Sequence, residues 1–404
     1  PCTHPLHDTF QYVLCQLRRG GGLSIHVHLG AVLGGVYAGV GVDADEIVRR
    51  PAVGGVDPSR QTGGVAGAEG IGGGVAGQFH LKAPVITEQF KKSSSRFSSA
   101  VDFRIKSLKK DILSENMTLQ VWNELLDIFR EEDTFSPSLK GIIVLHGTDT
   151  LAYTSAFLSC ALAGAPVPIF TVAAQLPPET EGSNAHANFR AAVELILNGI
   201  APNVYTVYRN LEADGVTPAE FLLHLGSQLT QRANSGCNFH SVGETPLDDA
   251  ENPCLKGVPF GKGGFFLDSV GKLTDGVLLI EPYPGLLYKR FNLEGAKAVV
   301  HGTYHSETVC VNDSRSPYSV TWFAQQLLQE EIPLILCPCD GEEFSYVSTA
   351  KAIEYGAEPA GRITLELAYA RAVTAVSMGM SGAAIGKFVV CCEDLRGITR
   401  PPKK

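Results

Sequence analysis

The feature that most constrains this chain is the run Gly141-Ile142-Ile143-Val144-Leu145, which holds no polar side chain and passes directly into His146-Gly147-Thr148-Asp149-Thr150. A strand without polar alternation is buried on both faces, and that condition is met in parallel sheets covered by helices on either side. The helix expected next turns Leu151, Phe157, Leu158 and Leu162 inward and ends at Gly164. The alternation then repeats, with a strand over 167–172, a proline-containing loop, a helix over 188–197 and a strand over 203–208.

Upstream, Val101, Phe103 and Ile105 alternate with Asp102, Arg104 and Lys106, the pattern of a half-buried strand. Thr118 is placed to cap a helix whose apolar positions Val121, Trp122, Leu125, Leu126 and Phe129 recur at helical spacing. Residues 209–275 are polar and rich in Gly and Pro, and read as loops, a hairpin and an inter-domain connection. Beyond them strands are expected over 276–280, 298–301 and 333–337, with helices over 322–328, 348–355 and 362–377. The fold class that follows is α/β: two α/β domains with mainly parallel sheets, a larger N-terminal one (81–275) and a smaller C-terminal one (276–404).

At 404 residues the chain exceeds what one hydrophobic core usually serves, which also favours two domains. Residues 1–80 stand apart. They hold 18 of the 43 glycines, read as lacking helical or strand periodicity, and are expected to be loosely ordered or disordered. The segment opens on Pro1, and a truncation or a mis-joined reading frame both fit it. Within it, residues 23–42 carry no formal charge over a bilayer's length, but His26, His28 and five glycines make their transfer into lipid unfavourable. No membrane partner is expected.

A formal charge of -9 and the absence of any long Lys/Arg cluster argue against a nucleic-acid partner, since gripping phosphates requires a basic face. The ten cysteines, Cys337-Pro338-Cys339 and Cys391-Cys392 among them, form no zinc-ligand spacing. Their dispersal suits reduced thiols in a cytoplasmic protein.

The chemistry concentrates at 146–150. A strand-to-helix turn at the carboxyl edge of a parallel sheet is where ligands bind. There Thr148 offers a hydroxyl, Asp149 a carboxylate, and the helix start unpaired N–H groups for a developing oxyanion. The same two residues also suit a plain helix cap.

The stretch 141–162, GIIVLHGTDTLAYTSAFLSCAL, resembles the second signature of the L-asparaginase family, type I-like and cytoplasmic, with HGTDT matching letter for letter. The likeness runs across roughly residues 100–395. It implies a cofactor-free and metal-free hydrolysis of L-asparagine to L-aspartate and ammonia, through an acyl-enzyme on a threonine. By the resemblance, Thr148 and Asp149 move protons and hold the substrate, with Asp149 also facing its α-ammonium group. Ser114 stands where the family binds the α-carboxylate, with Glu115 beside it able to reach the amino group. A helix-entry turn is the alternative for these two. Gly182-Ser183-Asn184 and Asn188 shape the site's rim, or cap a helix. His301-Gly302-Thr303-Tyr304-His305-Ser306 echoes the first turn and resembles a loop of the C-terminal domain in some members, with His305 structural; by the same likeness that domain helps complete the active site of a neighbouring subunit, so a homo-oligomer binding a small amino acid is implied.

The chain departs from the family in two places. Members open on a buried strand ending in a TGGT turn, whose last threonine is the nucleophile. The nearest run here is Thr62-Gly63-Gly64-Val65, in which valine has no hydroxyl and no buried strand precedes. The catalytic lysine's surroundings, residues 226–238, contain Arg232 and Cys237 but no lysine. Lys256 and Lys262 are substitutes, and arginine holds its charge too firmly to shuttle protons. Two other readings therefore stay open: a catalytically inactive amino-acid-binding relative, and the amidase subunit of a transfer-RNA-dependent amidotransferase, against which the acidic balance argues.

Overall fold

The computed structural model describes residues 24–29, 83–110, 112–131, 134–212, 217–231, 238–241, 245–246, 266–341 and 346–391, with backbone alone for 24–29, 231, 245–246 and 391. In chain order the first layer is built from β1 (Ser24–Leu29), α1 (Ala83–Lys91), β2 (Asp102–Lys106), α2 (Leu119–Arg130), β3 (Leu139–Leu145), α3 (Leu151–Ala161), β4 (Ile169–Val172), α4 (Ala185–Leu197) and β5 (Val204–Leu211). The strands β6 (Pro218–Leu225), β7 (Leu229–Gln231), β8 (Phe239–Ser241) and β9 (Thr245–Pro246) follow. The second layer holds β10 (Val277–Ile280), β11 (Ala298–Gly302), α5 (Val320–Gln329), β12 (Leu334–Cys337), α6 (Val347–Glu354), β13 (Ala357–Pro359), α7 (Leu365–Ser377) and α8 (Ala383–Cys391).

Seven strands pair in the order β2-β1-β3-β4-β5-β6-β9, and four in the order β10-β11-β12-β13. The pairs from β2 through β5 and throughout the second sheet are parallel; β6 and β9 join antiparallel. The α/β class with mainly parallel sheets is thus as the sequence predicts. Strand β3, apolar at every position but Lys140, is buried at all the others because β1 and β4 flank it and helices cover both faces.

One expectation is corrected. Within residues 1–80, read as loosely ordered and without strand periodicity, Ser24–Leu29 forms β1, wedged between β2 and β3. The physical reason is visible in its letters: Ile25, Val27 and Leu29 alternate with Ser24, His26 and His28, a period-two pattern obscured by the glycine-rich surroundings. The remainder of the uncharged run 23–42 lies outside the described residues, as does the rest of 1–82. No helix of the described residues is long and apolar enough to cross a membrane. A second difference lies in 209–275, where the expected hairpin is larger than a loop: β5 and β6 pair from Tyr205↔Leu225 to Leu211↔Pro218 and widen the first sheet.

The helix α2 begins as its sequence dictates, with Thr118 Oγ1 accepting the Val121 N–H at 3.4 Å. It lies on α3 through Trp122, whose ring stacks on Phe157 at 4.4 Å while its Nε1–H donates to Thr154 Oγ1. Helix α3 is buried on nearly every face, because α7 covers the side that the first sheet and α2 leave open. The chain then turns at Gly164, where φ is +78°. Asn123 clasps the entry to the second sheet with both amide atoms, Nδ2 donating to Leu273 O and Oδ1 accepting Leu273 N–H. Side chains of both sheets, Ile142 and Phe170 with Val300 and Ile335, fall in one continuous apolar cluster.

Candidate active site

The site grows from the carboxyl end of β3. His146 continues the strand, its N–H bonded to Val172 O, and the chain then breaks into the turn that starts α3. His146 is buried; its Nδ1–H donates to Gly147 O at 2.7 Å, and Nε2 has no partner among the described residues. Burial drives its pKa down from the usual value to about 4, so the ring is neutral at physiological pH. It shapes the turn as a fixed donor and carries no charge into the site.

A short 3-10 turn, Ser114–Asn116, delivers Ser114 to this edge. Ser114 is wholly buried and its Oγ–H donates to Asp149 Oδ2 at 2.8 Å. The same oxygen accepts the Asp149 backbone N–H at 3.3 Å, while Thr150 Oγ1 donates to Ser114 O at 2.8 Å. Three bonds therefore lock two segments that lie far apart in sequence. Asp149 is half-exposed, and its Oδ1 has no partner among the described residues. Thr148 beside it is 2% exposed. Position 150, the N-cap of α3, makes no side-chain cap, and Asp149 is bonded across to Ser114 rather than down onto the helix.

Of the four residues predicted for the site, the structure brings Ser114, Thr148 and Asp149 together, with Ser114 holding Asp149. Glu115 lies on the exposed side of the 3-10 turn. Asn184 and Asn188 fasten the loop after β4 to the end of β5: Asn184 Oδ1 accepts Gln175 N–H and its Nδ2 donates to Arg209 O, while Asn188 Nδ2 donates to Ala173 O and its Oδ1 accepts Arg209 N–H. Ser183 Oγ accepts Ala185 N–H, which is a capping role at the start of α4.

The floor beside the turn is a small apolar cluster of Leu151, Ala152, Ala173, Tyr208, Leu229 and Phe239. It seats the β7–β8 hairpin against the start of α3 through Leu229 and Phe239. Arg232 and Cys237, like Thr62, Val65, Lys256 and Lys262, lie outside the described residues. The first strand bears on the site too. Leu29 pairs with Leu145, so β1 and β3 end level with one another, one residue short of His146. The letters that follow β1, Gly30-Ala31-Val32-Leu33-Gly34-Gly35-Val36, include no hydroxyl.

The second His-Gly turn repeats the geometry of the first at the end of β11. His301 Nδ1–H donates to Gly302 O at 2.6 Å, its Nε2 accepts the Tyr288 hydroxyl at 2.8 Å, and burial lowers its pKa to about 4. His305 is exposed. Among the described residues no three His, Cys, Asp or Glu side chains are grouped to hold a metal ion.

Residues 61–252 match the family model described as Asparaginase, N-terminal, a span that includes Ser114, Thr148 and Asp149. Curated relatives include a glutamyl-tRNA(Gln) amidotransferase subunit of Pyrobaculum aerophilum, 30% identical over 179 residues, 43% of this chain and 41% of the relative. The corresponding protein of Methanococcus maripaludis is 32% identical over 185 residues, 44% of this chain and 42% of the relative. The chain thus spans about two fifths of these relatives' length. Among solved structures, the L-asparaginase of Thermococcus kodakarensis superposes with a TM-score of 0.54 at 20% identity, covering 69% of this chain and 82% of that one. L-asparaginase I of Vibrio cholerae gives 0.56 at 20% identity over 69% and 81%. At that identity the likeness is one of fold.

Proposed function

From an asparaginase-family domain over residues 61–252 as premise, we propose that the chain acts on the side-chain carboxamide of a small amino acid, hydrolysing L-asparagine to L-aspartate and ammonia. The observation that carries the reading is the buried clasp between Ser114 and Asp149 at the carboxyl edge of the parallel sheet. It fixes one carboxylate oxygen and leaves Oδ1 to meet an α-ammonium group, a charge-assisted contact that orients the substrate. Thr148, covered and adjacent, is the hydroxyl that relays the proton.

In the acyl-enzyme route a threonine oxygen adds to the amide carbon as its proton is withdrawn. The C–N bond then breaks with ammonia taking a proton, and water cleaves the ester to restore the hydroxyl. Residues 1–82 offer three threonines for the attacking oxygen, Thr3, Thr9 and Thr62. Acid-quenched protein mapped by mass spectrometry identifies the acylated position.

The test is ammonia release from L-asparagine by the full chain, beside Thr148→Ala and Asp149→Asn. Turnover that disappears in both variants supports the proposal. A folded parent that binds L-aspartate in calorimetry and releases no ammonia replaces it with an inactive amino-acid-binding protein. A second reading, favoured by the curated relatives, is ammonia supply within an amidotransferase. Release from L-glutamine in preference to L-asparagine, and only with a partner subunit added, selects it.

A further inference from the structure

Thr150 occupies the N-cap of α3, where a threonine ordinarily turns its hydroxyl onto an N–H of the first helical turn. Here it makes no such bond. Its φ and ψ of -121° and 19° are non-helical and its carbonyl accepts the Thr154 N–H at 3.0 Å, so the main chain caps as expected while the side chain does not. Oγ1 instead donates at 2.8 Å to Ser114 O, 36 positions away. Departures from a local rule concentrate at functional sites. Helix α3 can forgo the side-chain cap because tertiary packing holds it, nearly every one of its residues being buried.

Ser114 O accepts two donors, the Met117 N–H at 3.1 Å, which closes the 3-10 turn, and the Thr150 hydroxyl. Both contacts between Ser114 and Asp149 run through Ser114 Oγ, which swings about a single rotatable bond. The Thr150 contact grips the main chain of Ser114 instead, and β-branching restricts the rotamers of Thr150 itself. It therefore sets the distance at which the serine hydroxyl meets Asp149 Oδ2.

We propose that Thr150 is a positioning residue of the amide site: through Ser114 it fixes the direction in which Asp149 presents Oδ1 to the α-ammonium group of the substrate. The inference rests on the function proposed above. The α-ammonium charge does not change as the amide reacts, so the effect falls on binding, on KM rather than kcat.

The test uses the full chain with Thr150→Val, which keeps the shape and removes the donor, and Thr150→Ser, which retains it. In Thr150→Val the KM for L-asparagine and the Kd for L-aspartate should each rise about fivefold, with kcat within about twofold. Thr150→Ser should return both to near the parent values. Amide hydrogen exchange followed by NMR needs no ligand: the Asp149 N–H should exchange about tenfold faster in Thr150→Val, while the N–H groups of Ala152 and Tyr153, which a side-chain cap would hold, keep the parent rates. Acceleration confined to Ala152 and Tyr153 marks an ordinary cap and overturns the proposal, as does binding that Asp149→Asn weakens and Thr150→Val leaves unchanged. A parent that neither releases ammonia nor binds L-aspartate overturns the amide site itself, and this role with it.

Discussion

Ser114 Oγ gives its proton to Asp149 Oδ2 at 2.8 Å while receiving the Asp149 backbone N–H at 3.3 Å, so one buried hydroxyl orients both the carboxylate and the peptide that bears it. Removing it should do more than remove one contact. In Ser114→Ala the carboxylate loses a donor worth about 1.5–3 kcal/mol for a charged acceptor. Binding of L-aspartate, measured by calorimetry, should weaken about tenfold or more. Unfolding in urea should shift by about 1–2 kcal/mol, and Ser114→Thr should recover part of both losses. An unchanged affinity in a folded Ser114→Ala protein would refute the clasp as the element that positions Asp149.

Stability should fall steeply with acid. His146, His224 and His301 are each no more than 1% exposed, and burial depresses their pKa values to about 4, with the neighbouring His240 adding to the effect at His224. Unfolding exposes them, and in the unfolded chain they titrate near 6.5. Between pH 6.5 and 4 the unfolded state therefore binds more protons than the native state, so unfolding becomes easier as pH drops through that window. The stabilisation is fully present above 6.5 and each histidine forfeits on the order of 3 kcal/mol by pH 4. Urea midpoints at pH 7.5, 6.5, 5.5 and 4.5 check the slope, and His301→Gln should reduce it by one proton's share. A midpoint flat from 6.5 to 5 would contradict the burial of these rings.

Gly226→Ala should cost about 1–3 kcal/mol. A Cβ placed there would lie 2.7 Å from Ser159 Oγ and 2.9 Å from Ser155 O, and the carbonyl belongs to helix backbone that cannot step aside. The glycine follows β6 and directs the chain toward β7, so displacement should also lower amide turnover through the β7–β8 hairpin. Urea denaturation followed by far-ultraviolet circular dichroism gives the magnitude.

A buried acid ties the second layer to the β7–β8 hairpin. Glu366, 6% exposed in the first turn of α7, accepts the Thr230 Oγ1–H of β7 at 3.1 Å. Glu366→Ala should destabilise the protein by about 1–3 kcal/mol, because Thr230 is left without its acceptor. Glu366→Gln retains an acceptor and should cost less. The ranking of the two in thermal unfolding is the measurement, and Gln costing more than Ala would sink this account.

Much of the parallel-sheet architecture was legible because β3, β4 and β11 are nearly free of polar side chains and feed directly into turns, a pattern that few other structures tolerate. Thr118 was readable as a cap for the same local reason. What escaped was long-range or diluted. The alternation of Ile25, Val27 and Leu29 lies in a stretch whose glycines suggest disorder, and α1 shows only Ile86 and Phe90 at helical spacing before its lysines. At the site, resemblance pointed separately to Ser114 and Asp149. That one holds the other is a tertiary fact with no periodic trace, since 35 positions separate them. The neutral state of His146 was likewise invisible, because a histidine's charge depends on surroundings the letters do not display.

The place of β1 between β2 and β3 bears on how the chain is made as well as how it stands. A ribosome releases Ser24–Leu29 early, yet the strand's two flanks, Asp102–Lys106 and Leu139–Leu145, emerge in turn much later. Until Leu139 has left the exit tunnel, no complete slot exists for β1, and its main-chain donors and acceptors remain open to water or to other chains. Pairing across so much intervening sequence is slow, because the loop must close before any contact rewards it. The edge that holds Ser114, Thr148 and Asp149 is therefore among the last parts of the first sheet to acquire its shape, and mispairing of open strand edges is most favoured during that interval.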